Sequence, residues 1–254
     1  SWTTLTRYVS TDIALLVKRG PSNQRLDQIE KTLEWLQDED IQFVTISDNN
    51  YPSRLLNVPY PPLAFFSVGD LSLLNYPTVS IVGSTHPTDE GLSTARSWAK
   101  SLMQEPLTLV QGMGSGIEYA ALQGAVQSKK GFVVVSDRAM SDRENVEKIS
   151  FMRKHGLMVS ASLPFSTFNK QSMWFDRQKM MLAACEHFVI VEASLFSRSL
   201  RLAREAGDVG RNIMAVPGSI HETLHKGCHQ LIKEGAKLVE STQDIVKEMG
   251  LRAL

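Results

Sequence analysis

Cysteine is nearly absent. Cys185 and Cys228 stand alone in unrelated segments, which excludes a disulfide framework and a CxxC metal or redox motif and makes a reducing cytoplasm the expected setting. Neither sign of charge is in excess. Lysine plus arginine number 27 and aspartate plus glutamate number 27, so no global positive field gathers a polyanion and any basic footprint has to be local. No apolar run approaches the roughly 20 residues of a membrane helix, and the N-terminus lacks the basic-then-apolar order of a signal peptide. No membrane partner is expected. The chain opens Ser1-Trp2 rather than with Met, which reads as an excised piece. Repeats and low-complexity tracts are missing, as are a GxSxG elbow and paired carboxylates in a convincing context. His221, His225 and His229 are spaced four apart beside Cys228, a zinc-like pattern on an unbroken helix, but Gly227 and the loop-like PGSIHETLHKG argue against that helix. No catalytic residue, metal or cofactor is therefore expected.

What is present is an apolar share of 43% in 254 residues, enough to bury a full core in one large domain or in one plus a small lobe. The character changes near residue 77. Before it, amphipathic stretches at 11–19 and 23–37 lead to the strand-like IQFVTI at 41–46, and Pro52, Pro59, Pro61, Pro62 and Pro77 break residues 51–77 into turns, a short helix and a linker. After it the rhythm is regular. Apolar runs at 78–82, 107–111, 132–136, 157–161, 188–192 and 212–216 alternate with helix-compatible stretches at 91–104, 117–128, 141–154, 170–185, 197–208 and 226–234. Such alternation predicts right-handed crossovers and a parallel sheet covered on both faces. The expected fold is α/β: an extended Rossmann-like domain at 77–254 with a small, mainly helical lobe and linker at 1–76.

Two glycine-bearing turns carry the chemistry. Each follows an apolar β-branched run and precedes a helix-like stretch, the place where free backbone N–H groups and a helix N-terminus suit a phosphate or carboxylate. In the first, Gly83-Ser84-Thr85, small residues let the backbone approach a ligand, and the hydroxyls of Ser84, Thr85 and Thr88 can donate to phosphate oxygens; a capped tight turn explains the same residues. In the second, Gly112-Met113-Gly114-Ser115-Gly116, the glycines alternate and the last falls one position early for GxGxxG, so a dinucleotide is a poor match while an anion still fits. Gly124 reads as a point of close helix-to-sheet packing. Downstream, FSTFNKQSMWFDRQK at 165–179 mixes Phe165, Phe168, Trp174 and Phe175 with Lys170, Arg177 and Lys179, the blend of stacking planes and cations that single strands favour, or else packing beneath a helix. Arg198, Arg201 and Arg204 recur three apart, as a basic stripe or a solvated helix face. Glu192, closing an apolar run, is read as a carboxylate that orders neighbouring loop amides.

In order along the chain stand YPSRLL at 51–56, YPPLAFFSVGD at 60–70, SIVGS at 80–84, QGMGSGIEYAALQGAV at 111–126, FDRQK at 175–179, VIVEASLFSRSLRLA at 189–203, GRNIMAVPGS at 210–219 and KGCHQLIKEGAKLV at 226–239. Together they resemble the DprA/Smf family of DNA-processing proteins over roughly residues 50–240. The resemblance implies an extended Rossmann-like fold, single-stranded DNA held in a basic pocket, a homodimer, and loading of the RecA recombinase in natural transformation. It places Gly83, Ser84, Gly112, Gly116, Arg177, Lys179, Glu192, Ser197 and Ser199 at matching or similar positions. With Thr85, Gly114, Ser115, Lys170 and Arg198 they make up the expected anion- or nucleic-acid-binding set.

The chain also departs from the pattern. Thr85 replaces the arginine of G-S/T-R; in the stretch usually reading S-G-L-A-R-G-I-D, Gln111 replaces serine, Ser115 arginine and Glu118 aspartate; Phe196 replaces the basic residue before S-G-S, Arg198 its glycine; and SDRAMSDREN fills 136–145. Each missing arginine removes a charge-assisted phosphate contact, so a shifted basic set or weak strand binding is expected. Two other readings stay open. One is a nucleotide-binding or nucleotide-processing Rossmann-like protein, although VPGSIHE at 216–222 lacks the PGGxGTxxE signature of the phosphoribohydrolases. The other is a degenerate member kept for protein contacts, with Phe196 or Leu200 as an apolar patch. The N-terminal helical and C-terminal winged-helix modules of some relatives are not recognised in the chain.

Overall fold

A computed structural model describes residues 18–37, 41–136, 138–141, 146–162, 164–165 and 170–251, with the backbone alone for 146, 147 and 170–174. The segment 11–17 of the first amphipathic stretch lies outside the described residues.

Among the described residues nine strands form one sheet: β1 (Ile41–Thr45), β2 (Ala64–Gly69), β3 (Thr78–Val82), β4 (Thr108–Gly112), β5 (Phe132–Val135), β6 (Gly156–Ser160), β7 (His187–Ile190), β8 (Asn212–Ala215) and β9 (Lys237–Leu238). They lie in the order β1-β2-β6-β5-β4-β3-β7-β8-β9. From β6 to β9 every pairing is parallel, and β1 and β2 add an antiparallel edge. The helices are α1 (Asn23–Trp35), α2 (Asp89–Leu102), α3 (Ile117–Ser128), α4 (Val146–His155), α5 (Lys170–Ala184), α6 (Arg198–Asp208), α7 (Lys226–Lys233) and α8 (Thr242–Glu248).

Side chains alternate across the strands and divide the core in two. Val79, Ile81, Leu109, Phe132, Val134 and Val189 face the layer holding α2 and α3, where Ala95, Ala99, Ala120 and Ala121 pack. Val82, Val110, Val133, Val135, Phe188 and Ile190 face the other, with Met180, Met181, Leu200 and Ala203 from α5 and α6. A sheet covered on both faces leaves little room for polar residues, hence the near-continuous apolar runs. Gln111 is an exception that ties strands together: fully buried, it bonds Ser80 Oγ (3.3 Å) and donates from Nε2 to the Ile81 carbonyl (3.0 Å). That amide fixes β4 against β3 just below the loops that leave them.

Three expectations need correcting. Residues 64–69 are not linker but a strand, AFFSVG, four of whose residues are buried; no proline falls between Pro62 and Pro77, and the apolar run in that gap pairs with β1 and β6. Gly69 and Gly156 let these strands meet, since a Cβ at 69 would lie 2.0 Å from the Gly156 carbonyl oxygen. Gly124 serves helix-to-helix rather than helix-to-sheet packing, because its absent Cβ would strike the Arg96 carbonyl oxygen at 2.2 Å where α2 crosses α3. Beyond the last expected helix the chain adds β9 and α8.

Candidate functional site: a cleft at the carboxyl ends of the central strands

The chain lays down β3 to β6 on one side of β3, then returns to place β7, β8 and β9 on the other. The order reverses between β3 and β7, the place in open α/β sheets where loops diverge and leave a crevice. A cavity of about 290 Å³ opens there. Its walls are Gly83 and Thr85 after β3, Met113, Gly114 and Ser115 after β4, Glu118 of α3, Arg177, Gln178 and Met181 of α5, and Arg198, Ser199 and Leu202 of α6. Both glycine turns thus sit on one rim and face one space.

Each loop is built tightly. Gly116 has φ +67°, and a Cβ there would lie 2.3 Å from the Ser84 carbonyl oxygen, which accepts the Ile117 N–H at 3.1 Å. Ser84 Oγ takes the His86 N–H at 3.1 Å. Other donors stay open: among the described residues the N–H groups of Thr85, Ser115 and Gly116 have no acceptor. Across the cleft, Ser197 caps α6 by accepting the Leu200 N–H at 3.1 Å and contacts Ser199 Oγ at 3.0 Å, while exposed Arg198 projects from the first turn.

Arg177 lies across the glycine turn and pairs with Glu118 through Nη2 and Oε2, both side chains mostly buried. Oε2 of Glu118 also accepts the Gly114 N–H at 3.2 Å. Behind Arg177, Gln178 Nε2 donates to Glu205. In the sequence Glu118 stands out only as a departure at an aspartate position, and Gln178 not at all. Nothing in either segment signalled that residues so far apart would share one wall.

The remaining expected residues lie apart from the cavity wall. Gly112 underlies Arg177. Glu192, only 2% exposed, accepts from Thr88 N–H (3.0 Å) and Oγ1 (2.5 Å) beneath the start of α2, where Gly91 makes room for its carboxylate. Lys179 is exposed on another face of α5, beside Asp176, whose carboxyl is raised by burial against a smaller downward pull from that lysine. The Lys170 and Trp174 side chains and Phe168 lie outside the described residues. Phe165 meets Trp35 of α1 edge-on at 6.2 Å, away from the cleft. Arg204 is taken by Glu234 (3.1 and 2.6 Å). Leu200 is buried in the core and forms no patch, whereas Phe196 is 99% exposed. Gly218 is required by the His225 ring, 2.3 Å from where a Cβ would stand, and among the described residues no cluster of His, Cys, Asp or Glu could hold a metal. Burial pushes both Cys185 and Cys228 thiols up to about 12. Among the described residues no helix is long and apolar enough to cross a membrane.

Residues 42–250 match the family model of DNA recombination-mediator protein A. The chain belongs to that family. It is 31% identical to the DNA processing protein DprA of Streptococcus pneumoniae over 80% of this chain and 73% of that protein, and 28% identical to DprA of Bacillus subtilis over 87% and 76%. The solved structure of the S. pneumoniae DprA superposes with a TM-score of 0.77 at 29% identity, covering 89% of this chain and 80% of that one. DNA processing protein A of Helicobacter pylori, whose single-stranded DNA binding mode has been described, shares the fold with a TM-score of 0.70 at 22% identity, over 82% of this chain and 95% of that one. The recombination-mediator match and the DprA-like fold agree with the family resemblance read from the motifs.

Proposed function

We propose that this chain binds single-stranded DNA through its phosphates at the β3/β7 cleft and acts as a binding protein rather than an enzyme. The observation that carries this is the convergence on one cavity of Thr85 and Ser115, whose main-chain N–H groups are free, with the Arg198 guanidinium. Backbone amides and arginine are the donors that phosphate oxygens take without regard to base sequence. Glu118, the carboxylate on that wall, is held by Arg177 and the Gly114 N–H, which suits a structural group better than an acid or base. The H. pylori protein of the same fold supports the choice of ligand. Hand-off of the strand to the RecA recombinase, a role in natural transformation and a homodimer rest on the family resemblance and belong to the same proposal, as does a 1–76 and 77–254 division of the chain.

The decisive test is fluorescence anisotropy of labelled oligo-dT over a salt series, with Arg198→Ala alongside. Measurable, modest and salt-sensitive affinity that falls in the variant supports the reading. Absence of binding at low salt together with tight mononucleotide binding overturns it. A pull-down with RecA and light scattering of the free protein test the partner and the dimer.

A further inference from the structure

The alternating glycines of the second turn make room for the protein's own charges. A Cβ on Gly112 would stand 1.8 Å from Arg177 Nη2, and one on Gly114 would stand 2.7 Å from Glu118 Oε2. The carboxylate therefore sits against the loop and takes two donors of the kind a phosphate takes, a guanidinium N–H and a main-chain N–H. It does so from within the cavity wall. The two side chains are 13% and 15% exposed, and Arg177 Nε is buried without a partner, so the arginine retains unused donor capacity.

Resting on the reading of this cleft as a phosphate site, we propose that Glu118 is a resident stand-in for the ligand's phosphate: it occupies Arg177 and the Gly114 N–H until a strand displaces it, and so sets the affinity and salt response of the site. The charged side chains lining the cavity are Arg177 and Arg198 against Glu118, a single net positive charge. Neutralising Glu118 doubles that charge and frees a second cation for the strand. An incoming phosphate replaces the carboxylate on the donors it already holds, with no covalent step.

The test compares wild type with Glu118→Gln and Glu118→Asp, titrating labelled oligo-dT over a salt series and, in parallel, following thermal stabilisation by inorganic tripolyphosphate. Glu118→Gln should bind oligo-dT about tenfold more tightly, and its plot of log affinity against log salt should steepen by about 0.7, the contribution of one further phosphate contact to a single strand. Glu118→Asp, one methylene shorter and unable to reach both donors, should fall between. If wild type binds oligo-dT and neither variant gains affinity or slope, the inference is overturned and the reading of the cleft survives. If no protein binds oligo-dT while Glu118→Gln gains more stability from tripolyphosphate than wild type, the inference holds and the DNA reading fails. If none responds to either anion, both fall. Should Glu118→Gln not fold, Glu118→Asp decides the same outcomes.

Discussion

The guanidinium of Arg177 lies over the Cα of Gly112, so close that a methyl group there would come within 1.8 Å of Nη2. Gly112 is thus a seat for a side chain 65 positions further along the sequence. Gly112→Ala should push the guanidinium off the turn and part it from Glu118 while leaving β4 in place, since the colliding atoms are the flexible end of a long side chain. Urea unfolding should show a loss of about 1 kcal/mol, and oligo-dT affinity should change well beyond that of an alanine substitution elsewhere on β4.

Gly116 and Gly210 both have positive φ, +67° and +77°, but differ in surroundings: a Cβ at 116 meets the Ser84 carbonyl oxygen at 2.3 Å, whereas one at 210 finds nothing within 4 Å. Gly210→Ala should cost only the left-handed backbone strain, about 1–2 kcal/mol. Gly116→Ala adds a collision with backbone that cannot swing aside, so its loss in urea unfolding should exceed that of Gly210→Ala by about 2 kcal/mol. Equal losses would mean the two glycine turns are not packed against each other.

Much of this arrangement is written in the sequence and part is not. Runs such as TVSIV and FVVV are apolar on both faces, and a strand sandwiched between helix layers has to look like that, so β3 to β8 and the helices between them fall within a few residues of where periodicity puts them. β2 is masked in the sequence by the prolines before it, which break the pattern that the five residues AFFSV would otherwise carry. The cleft was legible as loops, because glycines after buried strands mark carboxyl-end turns. Its wall was not. Arg177 meets Glu118 across 59 residues and Phe165 meets Trp35 from a distant part of the chain, and such pairings depend on how remote elements pack, which no local pattern encodes. Glu192 was legible as a carboxylate that orders loop amides, yet it serves α2 and stands off the cavity.

His187 gives the fold a pH dependence of predictable sign. Its Nδ1 lies 3.2 Å from the Thr78 carbonyl oxygen and its Nε2 3.2 Å from Asn212 Nδ2; a carbonyl only accepts and an amide nitrogen only donates, so the ring is the neutral Nδ1–H tautomer, bridging β3 to β8 across β7. Burial holds its pKa below the ordinary 6.5, outweighing an upward pull from the Thr78 hydrogen bond. The unfolded chain therefore takes up the proton first. Its contribution is intact above about pH 6.5 and is lost as pH falls through that value towards the depressed folded pKa. Unfolding free energy measured between neutral and mildly acidic pH should decline in wild type and flatten in His187→Gln.

Arg198 and Arg204 share α6 but not a fate, and that separates the two explanations of the arginine stripe. Arg204 is clamped by both oxygens of Glu234 on the surface, whereas Arg198 has no ion pair among the described residues and borders the cavity. Arg204→Ala should lower stability by less than about 1 kcal/mol, as for an exposed pair, and leave oligo-dT binding untouched. Arg198→Ala should do the opposite: unchanged unfolding, weaker binding at every salt concentration, and a salt slope shallower by about 0.7 as one phosphate contact disappears. If both variants weaken binding equally, the stripe as a whole is the footprint and the cleft is not the focus of it.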